Sequence, residues 1–183
     1  AGEPVTENPK MKNHKPIFVA NKSLYDKVTD TLKQGGFPVI LGGDHSVAAG
    51  SITATNNYFN KIGVIWIDAH GDFNNEESSP SGNMHGMPLS ALTGFGPDPM
   101  VAFSDIIKYV DPKNVAVVGG RDIDPGERKQ MAKSGVHVFS IHDVDLLGMA
   151  EVMRRAIEVA SNGTDGIHVS FDVDAITPQE APG

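Results

Sequence analysis

The chain has 183 residues, no Cys, seven His and a formal charge of −8, from 15 Lys and Arg against 23 Asp and Glu. Its length suits one domain with a sizeable core, and 39% hydrophobic with 21% charged residues is a globular balance rather than a disordered one. Without Cys there is no disulfide frame, thiolate nucleophile or Cys-based zinc site, and an acidic chain with no Lys/Arg cluster suits metal ions or cationic ligands rather than nucleic acid.

Residues 1–20, of which the first 16 are rich in Pro and Lys, read as a polar arm or loop. Asn21 or Ser23 then caps a helix with Leu24, Val28 and Leu32 at i, i+4 and i+8, stopped by Gly35-Gly36. The apolar run 37–41 predicts a buried strand ending in Gly42-Gly43-Asp44-His45-Ser46, followed by a modest helix over 47–58. Residues 61–67 (KIGVIWI) are the clearest buried strand and run into Asp68-Ala69-His70-Gly71-Asp72. The stretch 73–86 has no periodicity, and a long loop inside a compact domain is usually functional.

A third strand over 114–118 ends in Gly119-Gly120-Arg121-Asp122-Ile123-Asp124, and Pro125 opens a short helix that Gly135 closes. A fourth strand covers 136–139. Asp143 or Asp145 caps a long helix to about residue 161, with Leu147, Val152, Met153, Ala156 and Ala160 inward. A fifth strand covers 166–173. Apolar strands alternating with helices predict a three-layer α/β/α domain around a mostly parallel sheet, with polar residues gathered past the carboxyl ends of the strands, where such sheets bind ligands. One domain spans 1–183. No apolar stretch approaches the ~20 residues of a membrane helix, and the opening residues hold no signal-peptide core. The expected location is cytoplasmic, with no membrane or nucleic-acid partner.

The chemistry concentrates in three places. Asp68, His70 and Asp72 fall at i, i+2 and i+4 and share one side of an extended segment. Asp172 and Asp174 repeat the pattern, sharing a side with His168 and Ser170 while Ile167, Val169, Phe171 and Val173 point the other way. His45 follows a third strand. Four carboxylates meeting without compensation would raise one another's pKa values and destabilise the fold, and two divalent cations remove that conflict. Oxygen-rich ligation speaks against zinc or copper and the two imidazoles against magnesium or calcium, so manganese fits best. His85, at the end of the long loop and outside this ligand set, is a candidate proton carrier. His168 is a candidate for supporting a ligand; His14, His137 and His142 read as structural.

Gly-Gly-Asp-His-Ser at 42–46, Asp-Ala-His-Gly-Asp-Phe-Asn at 68–74, Ser-Gly-Asn-Met-His-Gly-Met-Pro at 81–88 and Ser-Phe-Asp-Val-Asp at 170–174 resemble the signatures of the ureohydrolase superfamily. Asn74, the 81–85 segment and Arg-Asp-Ile-Asp-Pro-Gly-Glu at 121–127 resemble arginases more than agmatinases. The resemblance implies one manganese ion on His45, Asp68, Asp72 and Asp172, and a second on Asp68, His70, Asp172 and Asp174. It implies Asn74, Ser81 and Asn83 around the α-carboxylate of L-arginine, Asp124 on its α-ammonium with Glu127 close by, and His85 as proton shuttle. The implied reaction is hydrolysis of L-arginine to L-ornithine and urea by a metal-bridging hydroxide, with Asp72 accepting its proton, in a trimer or hexamer.

The resemblance also implies that the usual first strand, the C-terminal third and a downstream acidic residue on the guanidinium lie outside these 183 residues. The isolated chain is then expected to be poorly stable or inactive. Three other readings stand beside this one: an enzyme for agmatine or another guanidino compound, a catalytically silent metal-binding fragment, and a two-metal phosphoesterase, for which only Arg121 offers a phosphate clamp.

Overall fold

The computed structural model describes residues 8–177 and 179–181. Helix α1 (His14–Lys33) starts well before the expected caps: Asn13, in the left-handed region at φ 57°, precedes its first turn. The polar arm expected over 1–20 therefore extends no further than about residue 13, and residues 1–7 lie outside the described part. Asn21, placed at the boundary by sequence, is buried inside α1. Its side-chain oxygen accepts from the Gly50 N–H at 2.8 Å and ties α1 to helix α2 (Val47–Tyr58). Val28 and Leu32 of α1 close on Ala54 of α2, as their spacing required.

Four strands, β1 (Ile62–Ile67), β2 (Val115–Gly120), β3 (His137–Ser140) and β4 (Gly166–Phe171), form one sheet in the order β3-β2-β1-β4 with every pair parallel. Strand alternation divides its two faces. Val64 and Trp66 with Val115 and Val117 meet Ile52 of α2, Phe73 and Met87 of the long loop, and Leu89 of the short helix α3 (Pro88–Leu92). Ile65, Ala116 and Val118 face the other way, onto Val152, Ala156 and Ala160 of helix α6 (Met149–Ala160). Helices thus cover β1 and β2 on both faces, giving the three layers that the continuous apolar strands imply.

Three further elements depart from expectation, the first being the fifth strand expected over 166–173, which ends at Phe171 before a 3-10 turn over Val173–Ala175. Residues 37–41 form no helix and pair with no strand among the described residues, and Phe37, Val39 and Leu41 are 90%, 77% and 95% exposed. Apolar character fixes a strand only when a neighbour completes its ladder. Here a cavity of about 710 Å³ separates the segment from β4, whose Val169 and Phe171 are also exposed. The single helix expected from Asp143 or Asp145 is two, α5 (Ile141–Leu147) and α6. Ser140 caps the first, its hydroxyl accepting from the Asp143 N–H while the Asp143 carboxylate accepts from the Ser140 N–H. Gly148, at φ 80°, breaks the run, a geometry that a residue with a Cβ rarely adopts, and leaves Leu147 largely exposed. Helix α4 (Pro125–Ser134) and its stop at Gly135 follow the sequence closely.

Candidate metal centre

Parallel strands put their carboxyl ends on one edge, and each exit is stitched to the next. The Asp68 N–H donates to Val118 O at 3.1 Å, the Asp172 N–H to Ile67 O at 2.8 Å and the Arg121 N–H to Ala69 O at 2.8 Å. The side chains that leave these ends converge. His45 Nδ1 lies 2.8 Å from Asp68 Oδ2, 3.2 Å from Asp72 Oδ2 and 3.3 Å from Asp172 Oδ2. His70 Nδ1 lies 3.3 Å from Asp68 Oδ1 and 3.1 Å from Asp174 Oδ2. Asp68 turns one oxygen to each imidazole. His45, Asp68 and Asp72 form one group able to hold an ion, and Asp68, His70 and Asp174 another.

Two residues that the sequence reading gave no role orient this set. Trp66 stacks on the His45 ring at 3.9 Å and donates from Nε1 to Asp68 Oδ2 at 3.0 Å. Ser170 Oγ meets His45 Nε2 at 2.8 Å, so Nδ1 is the nitrogen that faces the carboxylates. Each stands two positions before a candidate ligand on the same strand, and that shared face was the available signal. Asp72 holds φ 48°, a costly conformation for a residue with a side chain, and its carbonyl is fixed by the Leu89 and Ser90 N–H groups.

The electrostatics follow from crowding. Burial alone would lower the His45 pKa, but Asp68 and Asp72 raise it to about 9. Burial drives the Asp72 carboxyl upward against the pull of His45. Burial also pushes Asp68 up, but hydrogen bonds from His45 and the His70 N–H hold it below the usual carboxylate range. Asp174 is raised by burial and by neighbouring Asp68 and Asp172. A cluster that holds protons to relieve its own repulsion fits cations that would displace them. Its oxygen-rich donors with two imidazoles suit a divalent ion such as manganese.

Beside the cluster lies a cavity of about 340 Å³, and His45, Asp68, His70, Asp72, Asn74, Ser81, Asn83, His85, Asp124, Glu127, Asp172 and Asp174 all line it. Asp44 and Asp122 line it too, whereas no Lys or Arg lines it among the described residues. Asn74 is buried, donating to Asp124 Oδ2 at 3.0 Å and accepting from Ser78 Oγ at 2.9 Å. The backbone engages Glu127 fully: Oε1 accepts from the Phe73 N–H at 2.6 Å and Oε2 from the Asp124 N–H at 3.1 Å. Burial raises its pKa to about 7. Glu127 therefore shapes the cavity from beneath Asp124.

Ser81 and His85 are exposed on the rim. The chain before α1 braces that rim, with the Lys12 N–H donating to Gly82 O at 2.9 Å, and Gly82, at φ 70°, leaves no room for a Cβ beside Pro9 O. His168 stays outside: its Nδ1 meets Thr55 Oγ1 at 3.1 Å, and burial lowers its pKa to about 4. His14, His137 and His142 also lie outside the cavity.

Comparison with known proteins adds to this geometry. The Arginase family pattern matches residues 5–183. The chain is 40% identical over 181 residues to the arginase of Bacillus subtilis strain 168, covering 99% of itself and 61% of that protein. It superposes on the native structure of Bacillus caldovelox arginase with a TM-score of 0.94 at 39% identity, over 100% of itself and 61% of that chain. The Entamoeba histolytica arginase in complex with L-ornithine matches at a TM-score of 0.82 and 34% identity, over 97% of this chain and 61% of that one. The chain thus spans about three-fifths of the length of these relatives.

Proposed function

The chain belongs to the arginase family, and from that premise we propose that its acidic cavity hydrolyses L-arginine to L-ornithine and urea with two manganese ions. The observation that carries the reading is a cavity lined by carboxylates and imidazoles at the strand ends, with no Lys or Arg among the described residues. Such a lining attracts both metal ions and a guanidinium group. Ornithine bound to the Entamoeba relative supports the choice of substrate.

In this proposal His45, Asp68, Asp72 and Asp172 hold one ion, and Asp68, His70, Asp172 and Asp174 the other. When bound, the pair supplies Lewis-acid activation of a water beside the guanidinium carbon, a poor electrophile that neutral water attacks too slowly. The Asp72 carboxylate takes the proton of that water and hands it to the leaving amine. His85, on the exposed rim, exchanges protons with solvent. Asn74, Ser81 and Asn83 receive the α-carboxylate and Asp124 the α-ammonium, with Glu127 holding the Asp124 backbone. Anchoring the far end of the substrate aligns its reacting carbon.

Cytoplasmic location and trimeric or hexameric assembly belong to the same proposal. No helix among the described residues is long and apolar enough to cross a membrane. The experiment is urea release by the intact protein loaded with Mn²⁺, on L-arginine and on agmatine in parallel. Turnover of L-arginine far above agmatine is expected. Equal turnover would overturn the α-carboxylate contacts, and a fully loaded protein that releases no urea from either would overturn the activity.

A further inference from the structure

Arg121 stands at the first position beyond β2, with its backbone N–H on Ala69 O at the exit of β1. Its side chain reaches across that exit to the turn after β4, although β1 separates β2 from β4 in the sheet. Nη1 donates to Ala175 O at 3.0 Å, while Nη2 donates to Asp174 O and reaches Ile176 O at 3.4 Å. These carbonyls close the short 3-10 turn Val173–Ala175, where a helix end leaves acceptors unpaired and cations are favoured. One residue thus joins three exits, β2 to β1 through its backbone N–H and β2 to β4 through its guanidinium.

We propose that Arg121 is the positioning residue that fixes the turn after β4 and so holds the Asp174 carboxylate against His70. Asp174 depends on such a latch. Its Oδ1 accepts from the Ala69 N–H at 3.2 Å and its Oδ2 faces His70 Nδ1 at 3.1 Å, but it rides on a turn beyond β4, which pairs only with β1 among the described residues, with its side chain about half exposed. The Asp172 N–H on Ile67 O ties the start of the turn to β1, and the remaining restraints are internal, from the Ala175 and Ile176 N–H groups to Asp172 O and Val173 O and from the Asp174 N–H to Asp172 Oδ1. None of these ties the turn to β2. A planar fork of donors spans several carbonyls at once, and a lysine ammonium on a flexible stem does so poorly. With its donors committed to these carbonyls, Arg121 leaves the cavity without a cation.

This inference rests on the two-ion reading of the site, and direct Mn²⁺ titration separates the two. The intact protein, Arg121→Ala and Arg121→Lys are titrated by calorimetry, with the electron paramagnetic resonance of the coupled ion pair as a second readout. Wild type is expected to bind two ions. Arg121→Ala keeps the ion beside His45 at unchanged affinity and binds the one beside His70 about 10- to 100-fold more weakly, losing the coupled signal. Arg121→Lys lies between, and the metal-free melting temperature barely moves because Arg121 is exposed. Two ions bound by Arg121→Ala as in wild type would overturn the proposal. Should that variant not fold, wild-type binding of both ions by Arg121→Lys would overturn it instead. A wild-type protein that binds no Mn²⁺ would remove the two-ion reading itself.

Discussion

The two halves of the acid cluster share Asp68 yet differ in their relation to water. The side chains of His45, Asp68 and Asp72 are 8%, 1% and 8% exposed, whereas those of His70 and Asp174 are 47% and 44% exposed. The closed half gathers the exit of β1, the loop beyond it and the residues that lead into α2, with Trp66 of β1 stacked on its imidazole. The open half stands on the loop beyond β1 and the turn beyond β4, which pairs only with β1 among the described residues. Equal chemistry thus meets unequal dielectric: charge pairs are strong and costly to break in the closed half, and weak and solvent-screened in the open one.

The change with the largest expected effect removes what the halves share. Asp68→Asn keeps the shape of the side chain but takes the charge from the carboxylate that faces both imidazoles. Loss of both ions is expected, with urea release falling by about a thousandfold or more, since charge stabilisation by bound ions is worth several kcal/mol. Metal content by mass spectrometry checks it, and retention of two ions would show that Asp68 does not bridge.

Next comes a paired test of the halves. His45→Ala leaves Asp68 and Asp72 buried without their shared partner and should cost about 2–4 kcal/mol of metal-free stability. His70→Ala disturbs half-exposed pairs and should cost less than about 1 kcal/mol. Denaturant unfolding of the metal-free proteins gives both values, and a larger cost for His70→Ala would reverse the comparison.

The same contrast sets the pH dependence. His45 holds its proton up to about pH 9, above the ordinary histidine value. Its contribution to stability is therefore complete below pH 6.5 and is lost as pH rises through 9. Asp72 and Glu127, both raised by burial, already weigh against the fold once they ionise near pH 7. Between pH 7 and 9 the metal-free protein should lose stability while Mn²⁺ affinity rises, because the ion then displaces fewer protons. Calorimetry in buffers of different ionisation enthalpy should show protons released at pH 7 and far fewer above pH 9.5. Affinity that falls over this window would contradict the closed-half assignment.

This division also explains what could be read from the sequence. The apolar runs 61–67 and 166–171 marked two strands, and a parallel sheet fixes that their exits meet, so the candidate ligands could be named from the sequence. The alternation read through 68–72 and 172–174 does not hold, because Asp72 turns to φ 48° and Val173–Ala175 form a 3-10 turn. Contacts made by backbone atoms were not. The pairing of Glu127 with the Phe73 and Asp124 N–H groups depends on how loop 73–86 folds over α4, and the reach of Arg121 depends on strand order. His168 shares its face with Asp172, yet its distance back along β4 brings it to Thr55 instead. Residues 37–41 carry a strand's composition but pair with no strand among the described residues, so composition alone did not fix their pairing.

The smallest effect belongs to the outer rim and tests whether the contrast extends to the substrate side. Asn74 is buried between Asp124 and Ser78, whereas Ser81 is exposed and its hydroxyl accepts only from the Asn83 N–H at 3.1 Å. Ser81→Ala removes one solvent-facing hydrogen bond to the proposed α-carboxylate, worth about 1–1.5 kcal/mol. A roughly five- to tenfold rise in KM for L-arginine is expected at unchanged kcat, since the contact is the same in ground and transition states. Agmatine, which has no carboxylate, should show no difference between wild type and variant. A fall in kcat, or an equal effect on agmatine, would place Ser81 in the organisation of the loop rather than in contact with substrate.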